Sequence, residues 1–491
     1  MTPNQIALAR DALNGMKTIS VSAAEQHNAD SLSEVLRHND IQSATVNLRN
    51  MTVTGFSGDG NEAIAGLAKT FRTPSGHNSY KSSNATLSKF IAGEIIRLWH
   101  TCQPASLEAE DFEQLQRSVD DWFAELAQVR QHVVPCTLFP FRLASFGIGP
   151  VTFHHLHNFP METFGCARDE FWPKDPPPWK KWMRNVWTAV QGGQVANLKP
   201  GGFQFEKLVE LAVQRHAYWM AVVDVPGRAM PESSSTADVA TDIALAAVQL
   251  VCPSGDMRNI ARATGRAAPI WRADVSQIQG KGLMSSVQNL GPALDYSPDF
   301  IVQHLDSSKP LLESMGRRLG AYLAATSALP NLDEAWCNAA YWYHEALAER
   351  LDTVAVAKLE TAMEVLLGAE SVTGSKKRLL EGFEALFGLQ KDGQVNPPNP
   401  VTVDQLVVAI TTARSRILHG TWPTLHFDLP TAKGKPTVAY SDVEFLTRML
   451  LLNFSVQMDA YQDAGQTGDT TEALLSWANA ARLAAAAVPQ P

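Results

Sequence analysis

The chain has 491 residues, 45% hydrophobic and 19% charged, with 41 Lys and Arg against 50 Asp and Glu; at roughly 150 residues per domain it holds two to four compact units, and this composition excludes a disordered or collagen-like chain. The net charge of −9 excludes a broad basic footprint for polyanions, so any nucleic-acid contact has to be local. Five scattered cysteines without a Cys-x-x-Cys pair exclude a zinc ribbon or a disulfide framework, and no apolar run approaches the roughly 18 residues of a membrane span.

In chain order, residues 1–130 read as a mixed α/β region. Met1-Thr-Pro-Asn-Gln is not the start of a secretory leader, which together with the cysteine usage points to the cytoplasm. The stretch Thr45 to Thr54 alternates with period two like half-buried strands, and Leu87 to Leu98 is helical in pattern. From there Phe112, Leu115, Val119, Trp122, Leu126 and Val129 follow a 3-4-3-4 spacing, the stripe of one helix packing on another. Arg72-Thr-Pro-Ser-Gly-His77 pairs an arginine with a histidine inside a Pro/Gly/Ser loop that has no means of fixing their register.

Residues 131–330 are strand-rich and then helical, forming one sensor or regulatory unit with the first region or a unit of their own. Strands are expected over His132 to Phe141 and Ser145 to His157, broken by Gly147 and Gly149. In such a strand His155 and His157 share a face, and with Cys166 they offer a conceivable metal set, although a satisfied strand pair explains them more simply. A Pro-dense insertion, Phe171 to Trp179, precedes Lys180, Lys181 and Arg184 interleaved with Trp179, Trp182 and Trp187. That pattern suits nucleic-acid stacking or, more cheaply, core aromatics under a basic rim. Helices are then expected over Phe203 to Met220, Thr236 to Val251 and Pro298 to Ala325, with a strand near Ala268 to Val275. The most apolar part of the second, around Val239 to Val251, contains Asp242 and reads as buried core. Pro330 reads as a helix stop, and Asn331 or Asp333 as the next cap.

Residues 331–491 read as an all-α bundle, making the expected fold class α+β. The helices are Asp333 to Arg350, Val354 to Ala369, Ser375 to Leu389, Val403 to His419, Ser441 to Ala464 and Thr471 to Ala487, with connections short enough for antiparallel packing. The fourth ends on Arg414-Ser-Arg-Ile-Leu-His419-Gly420, which sets a guanidinium and an imidazole beside one helix end. Attack of a ribose 2′-OH on the adjacent phosphate needs charge stabilisation on the non-bridging oxygens and a proton relay. Arg414 can supply the first through a bidentate fork and His419 the second, with no metal. Five residues advance an ideal helix by about 7.5 Å and turn it by roughly 140°. Convergence therefore requires the helix to fray near Gly420, or a second copy to complete the site. A plainer assignment is open for the same residues: Arg414 in a rim salt bridge to Glu360 or Glu364, and His419 favoured by the helix dipole.

Trp342-Tyr-His-Glu-Ala-Leu347, Lys358-Leu-Glu-Thr-Ala-Met-Glu-Val-Leu-Leu367 and Ala413 to Gly420, in that order, resemble successive helices of an Apea-like HEPN domain, over about 140 residues from Asp333 to Ala464. The resemblance implies a metal-independent ribonuclease without cofactors, a homodimer or higher oligomer, and a toxin or antiviral effector. It places the catalytic pair at Arg414 and His419, with Ser415 in the position after the arginine where the family is often polar. Arg416 and Glu364 are expected to support the pair, and Lys376, Lys377 and Arg378 to contact single-stranded RNA or tRNA. The alternative is a non-catalytic module that binds a nucleotide or a partner protein with the same two residues.

Overall fold

The computed structural model describes residues 1–22, 29–47, 52–72, 81–101, 109–160, 163, 202–252, 255–265, 271–277, 282–289, 297–369, 372–395, 401–422 and 439–487. The fold is α+β, with sheets and helices in the N-terminal part and helices in the C-terminal part. It divides into two compact units, Met1–Arg130 with Val225–Ser235, and Gln131–Asp224 with Thr236–Pro491.

In the first unit, helix α1 (Pro3–Asn14) starts at a capping box in which Thr2 and Gln5 bond each other's backbone N–H. Strand β1 (Met16–Ser20) follows, then α2 (Ala29–His38), β2 (Gln42–Asn47) and β3 (Thr52–Phe56). The period-two stretch from Thr45 is thus the end of β2 and the start of β3, antiparallel neighbours in the sheet β1-β3-β2. Helices α3 (Gly58–Phe71), α4 (Asn84–Thr101) and α5 (Ala109–Glu125) complete the unit. Their inward residues, among them Ile64, Leu67, Leu87, Ile91, Ile95, Phe112, Leu115 and Val119, form one core. Along the 3-4 stripe Phe112, Leu115, Val119 and Leu126 are buried and Trp122 half-buried, but Val129 is exposed at the start of a strand. The helix has ended by then, and the last position of the apparent repeat belongs to another element.

The second unit contains β4 (Val129–Thr137), β5 (Phe146–Ile148), β6 (Val151–His155), α6 (Gly202–Gln214), β7 (Trp219–Pro226), α7 (Met230–Val251) and β8 (Ala261–Arg262), apart from the residues at the ends of β4, β7 and α7 that fall in the first. Five strands form a sheet in the order β5-β6-β7-β4-β8. Its central strand, β7, begins inside the span whose pattern predicts a helix from Phe203 to Met220, whereas α6 stops at Gln214. His216 turns left-handed (φ 53°) and the chain reverses through a hydrogen bond from Ala217 N to the Ala212 carbonyl. The apolar run Trp219 to Val223 then fits a strand covered on both faces, a pattern that periodicity does not separate from a buried helix.

Strands β5 and β6 are joined at Gly149, whose φ is +55°. A Cβ built there would lie 2.2 Å from the carbonyl oxygen of Gly316, and one on Gly316 would lie 2.4 Å from the Gly149 nitrogen. Backbone meets backbone, so no side chain can yield. Gly149→Ala is therefore expected to cost at least about 2 kcal/mol, combining left-handed strain with the clash. Unchanged denaturant unfolding of that variant would contradict this close approach.

Strands β9 (Trp271–Gln277) and β10 (Leu283–Asn289) make a separate antiparallel pair, of which the sequence pattern showed only the first. The single helix expected over Pro298 to Ala325 is two, α8 (Pro298–Ser307) and α9 (Lys309–Ala324). Pro310 lies in the first turn of α9, where its missing N–H costs nothing, while inside a continuous helix it would remove a bond and clash with the preceding turn. Pro330 likewise opens α10 (Pro330–Leu347) and ends nothing. The cap comes from afar: the Asp469 carboxylate accepts from Asn331 N at 2.9 Å and Leu332 N at 3.1 Å. The expected division at residue 330 lies inside this unit, where Arg318 is ion-paired to both Asp333 and Asp459.

The remaining helices run close to the expected spans: α11 (Asp352–Leu367), α12 (Val372–Phe387), α13 (Val403–Leu418), α14 (Tyr440–Asp463) and α15 (Thr471–Ala487), with a two-residue pairing of β11 (Gln394–Val395) and β12 (Val401–Thr402) before α13. Helix α11 is central and touches α10, α12, α13 and α14. Being covered on nearly every side, it is apolar around most of its circumference, with little of the one-faced pattern of a surface helix. No helix among the described residues is long and apolar enough to cross a membrane.

Candidate functional site

Two carboxylates lie on the buried surface of α11. Glu360 and Glu364, four apart and so on one face, are both buried. Isolated carboxylates at such positions are costly, and the fold supplies a cation from the facing helix. Arg414 on α13 places Nε 2.9 Å from Glu360 Oε2 and one terminal nitrogen 2.7 Å from Glu364 Oε2, and its other terminal nitrogen donates to Glu364 Oε1 at 3.2 Å. Ser375 of α12 adds a hydroxyl donor to Glu360 Oε1 at 3.1 Å. Arg414 thus grips Glu364 with both prongs of its fork, a planar match that lysine does not reproduce.

Burial and then the Glu364 charge push the Glu360 carboxyl up to about 8, against the opposing pull of Arg414 and the Ser375 hydroxyl. The native state therefore holds a proton that the unfolded chain has released between the ordinary value of 4.5 and about 8. This group's stabilising contribution is complete below the unfolded value and disappears as pH rises through the folded one. Glu360→Gln is expected to flatten the loss of thermal stability between about pH 5 and 9. Parallel pH profiles for variant and parent would refute a Glu360 carboxyl that stays protonated in the native state.

His419 is the C-cap of α13 and is exposed. The helix does not fray. Gly420 adopts φ +66° and donates to the Ile417 carbonyl at 3.1 Å, and Thr421 N donates to the Arg416 carbonyl at 3.0 Å, the paired bonds of a Schellman ending. With the helix regular through Leu418, Arg414 and His419 leave it about 140° apart. Arg414 turns inward to the carboxylates, His419 sits at the tip, and one chain does not bring them together. Ser415 lies half-buried between them and offers its carbonyl to His419 N at 3.0 Å. Arg416, on the last turn, is also half-buried.

The three basic residues on α12 are all engaged. Lys376 pairs with Asp404 at 2.9 Å, Lys377 with Glu381 at 3.6 Å, and Arg378 with Glu381 at 3.1 Å and with Glu472. Lys376 and Arg378 tie α12 to α13 and α15, and Lys377 pairs within its own helix, all three remaining partly in solvent.

His344, from the first segment of the resemblance, is fully buried. Its Nδ1 lies 2.8 Å from Gln249 Oε1 and its Nε2 lies 3.6 Å from Asp242 Oδ1. Asp242, the buried acid of α7, also accepts both prongs of Arg262 at 2.8 and 2.9 Å. This chain of polar side chains links α7, β8 and α10. Asp242 inside the apolar run Val239 to Val251 was its signal in the sequence, but the distance to Arg262 and His344 along the chain hid the partners.

The histidine cluster of β6 is not arranged as expected. The strand ends at His155, and a short 3-10 turn (Leu156–Asn158) follows, so His155 and His157 do not share a strand face. Instead His155 Nδ1 accepts from His157 N at 3.2 Å, its ring packs edge-on against Trp219, and burial lowers its pKa to about 4. No metal-binding group of His, Cys, Asp and Glu occurs among the described residues. Cys166, the Trp- and Lys-rich segment from Phe171 to Trp187, and His77 lie outside the described residues, whereas Arg72 is the C-cap of α3.

Against protein-family models, curated proteins and solved structures the chain shows no match, and the functional reading rests on its own residues.

Proposed function

We propose that the chain is a metal-independent endoribonuclease of the HEPN type, cutting RNA by attack of a 2′-OH on the adjacent phosphate. Arg414 would neutralise the phosphate and His419 would relay the proton. The observation that carries this reading is the end of α13: a guanidinium held in a fixed plane by two buried carboxylates, one turn before an exposed imidazole on a sharply terminated helix. Because one chain separates the two groups, the working site would join α13 ends from two copies in a homodimer or higher oligomer. The residues before the bundle would restrain or aim it, as in a cytoplasmic toxin or antiviral effector whose trigger acts outside the bundle.

A second reading, a non-catalytic module holding a nucleotide or a protein, is favoured by the occupation of Arg414 in the carboxylate clamp. Incubating the pure protein with single-stranded RNA and tRNA in chelator separates the two. Products ending in cyclic phosphate support the nuclease, and intact RNA with measurable nucleotide binding supports the module.

A further inference from the structure

An open groove of about 320 Å³ lies in the first unit, lined among others by Lys89, Phe90, Trp122, Leu126, Arg130 and Met230. Its volume is at the small end of the roughly 300–1,000 Å³ range of ligand pockets, too small for a dinucleotide and adequate for one planar ring with a charged group. Phe90 and Trp122 stack on each other, with centroids 4.9 Å apart and planes 18° from parallel, which fixes a rigid aromatic wall. Lys89 and Arg130 add two positive charges, and among the described residues no carboxylate lines the groove. Among the described residues neither cation has an ion-pair partner; Arg130 only approaches the Met230 sulfur at 3.6 Å. The nearby acid is engaged elsewhere: Glu232 Oε1 accepts from Ser83 N at 2.8 Å and from the Thr86 hydroxyl at 2.6 Å, serving the start of α4.

An aromatic wall beside two unneutralised cations has the complement of a planar ring that carries an anionic group. We propose that this groove binds a small aromatic anion of mononucleotide size, with its ring against Trp122 and Phe90 and its phosphate or carboxylate on Lys89 and Arg130. The proposal does not depend on the nuclease reading, because it uses neither Arg414 nor His419.

Calorimetric titration of the full chain tests it with four probes: adenosine 5′-monophosphate, adenosine, indole-3-acetate and inorganic phosphate. Adenosine monophosphate binding that weakens at least about tenfold in Lys89→Gln/Arg130→Gln, with adenosine unaffected by the change, identifies a nucleotide site. The same behaviour with indole-3-acetate alone identifies an aryl carboxylate site. Both cations are at the surface and the double variant is expected to unfold at the parent's temperature. Absence of binding by both aromatic anions overturns the proposal. So does binding that the double variant leaves unchanged, or phosphate that binds as tightly as either aromatic anion.

Discussion

His419→Ala is expected to lower RNA cleavage at least about 100-fold, the scale of losing one positioned proton-transfer group. Its unfolding free energy should stay within about 0.5 kcal/mol of the parent's, because the side chain is exposed at a helix cap. Equal cleavage by parent and variant, measured on single-stranded RNA in chelator, would remove the nuclease assignment. Arg414→Ala is a poorer test of the same idea. It leaves Glu360 and Glu364 buried without their cation, which costs about 3–5 kcal/mol in comparable pairs, so lost activity would be confounded with lost fold. Arg414→Lys keeps the charge and forfeits the fork. Cleavage lost in a folded Arg414→Lys protein, together with the His419→Ala result, assigns both roles.

Asp242→Ala is expected to destabilise the second unit by about 3–5 kcal/mol, the scale of removing one partner from a buried ion pair. Removing this carboxylate takes from Arg262 the buried acceptor of both its prongs, leaving it the exposed Asp238, and takes the acid away from buried His344. The comparison with Asp238 isolates the physics. It meets the same guanidinium at 3.0 Å, but its side chain is 42% exposed against 4% for Asp242, so Asp238→Ala should cost at most about 1 kcal/mol. Equal midpoints for the two variants in urea would show that burial does not govern this cluster. Replacing Asp242 by Asn keeps the volume and some hydrogen bonding, and an intermediate loss is expected.

The bundle helices were legible in the sequence because their apolar positions recur with helical spacing and their breaks coincide with Pro- and Gly-bearing segments. Even the central helix was visible, since Val354 to Leu367 holds neither Gly nor Pro and Gly368 ends it. Strand β7 was not. A run covered on both faces carries no period-two signal, and the stop at His216 depends on a left-handed turn that no glycine announces. The division of α8 from α9 was legible in principle at Pro310, whose ring cannot lie inside one continuous helix.

At the candidate site the sequence by itself determined the residue types, their order along the chain and the 140° offset between Arg414 and His419, because helix geometry is local. It also left open the salt bridge from Arg414 to Glu360 or Glu364. Only the tertiary structure decided that Arg414 meets both carboxylates, that Ser375 closes the cluster, and that α13 stays regular to its cap and leaves His419 in solvent. The reason is physical: local spacing fixes the direction in which a side chain leaves its helix, while burial, and with it the need for a partner charge, exists only once the helices have packed.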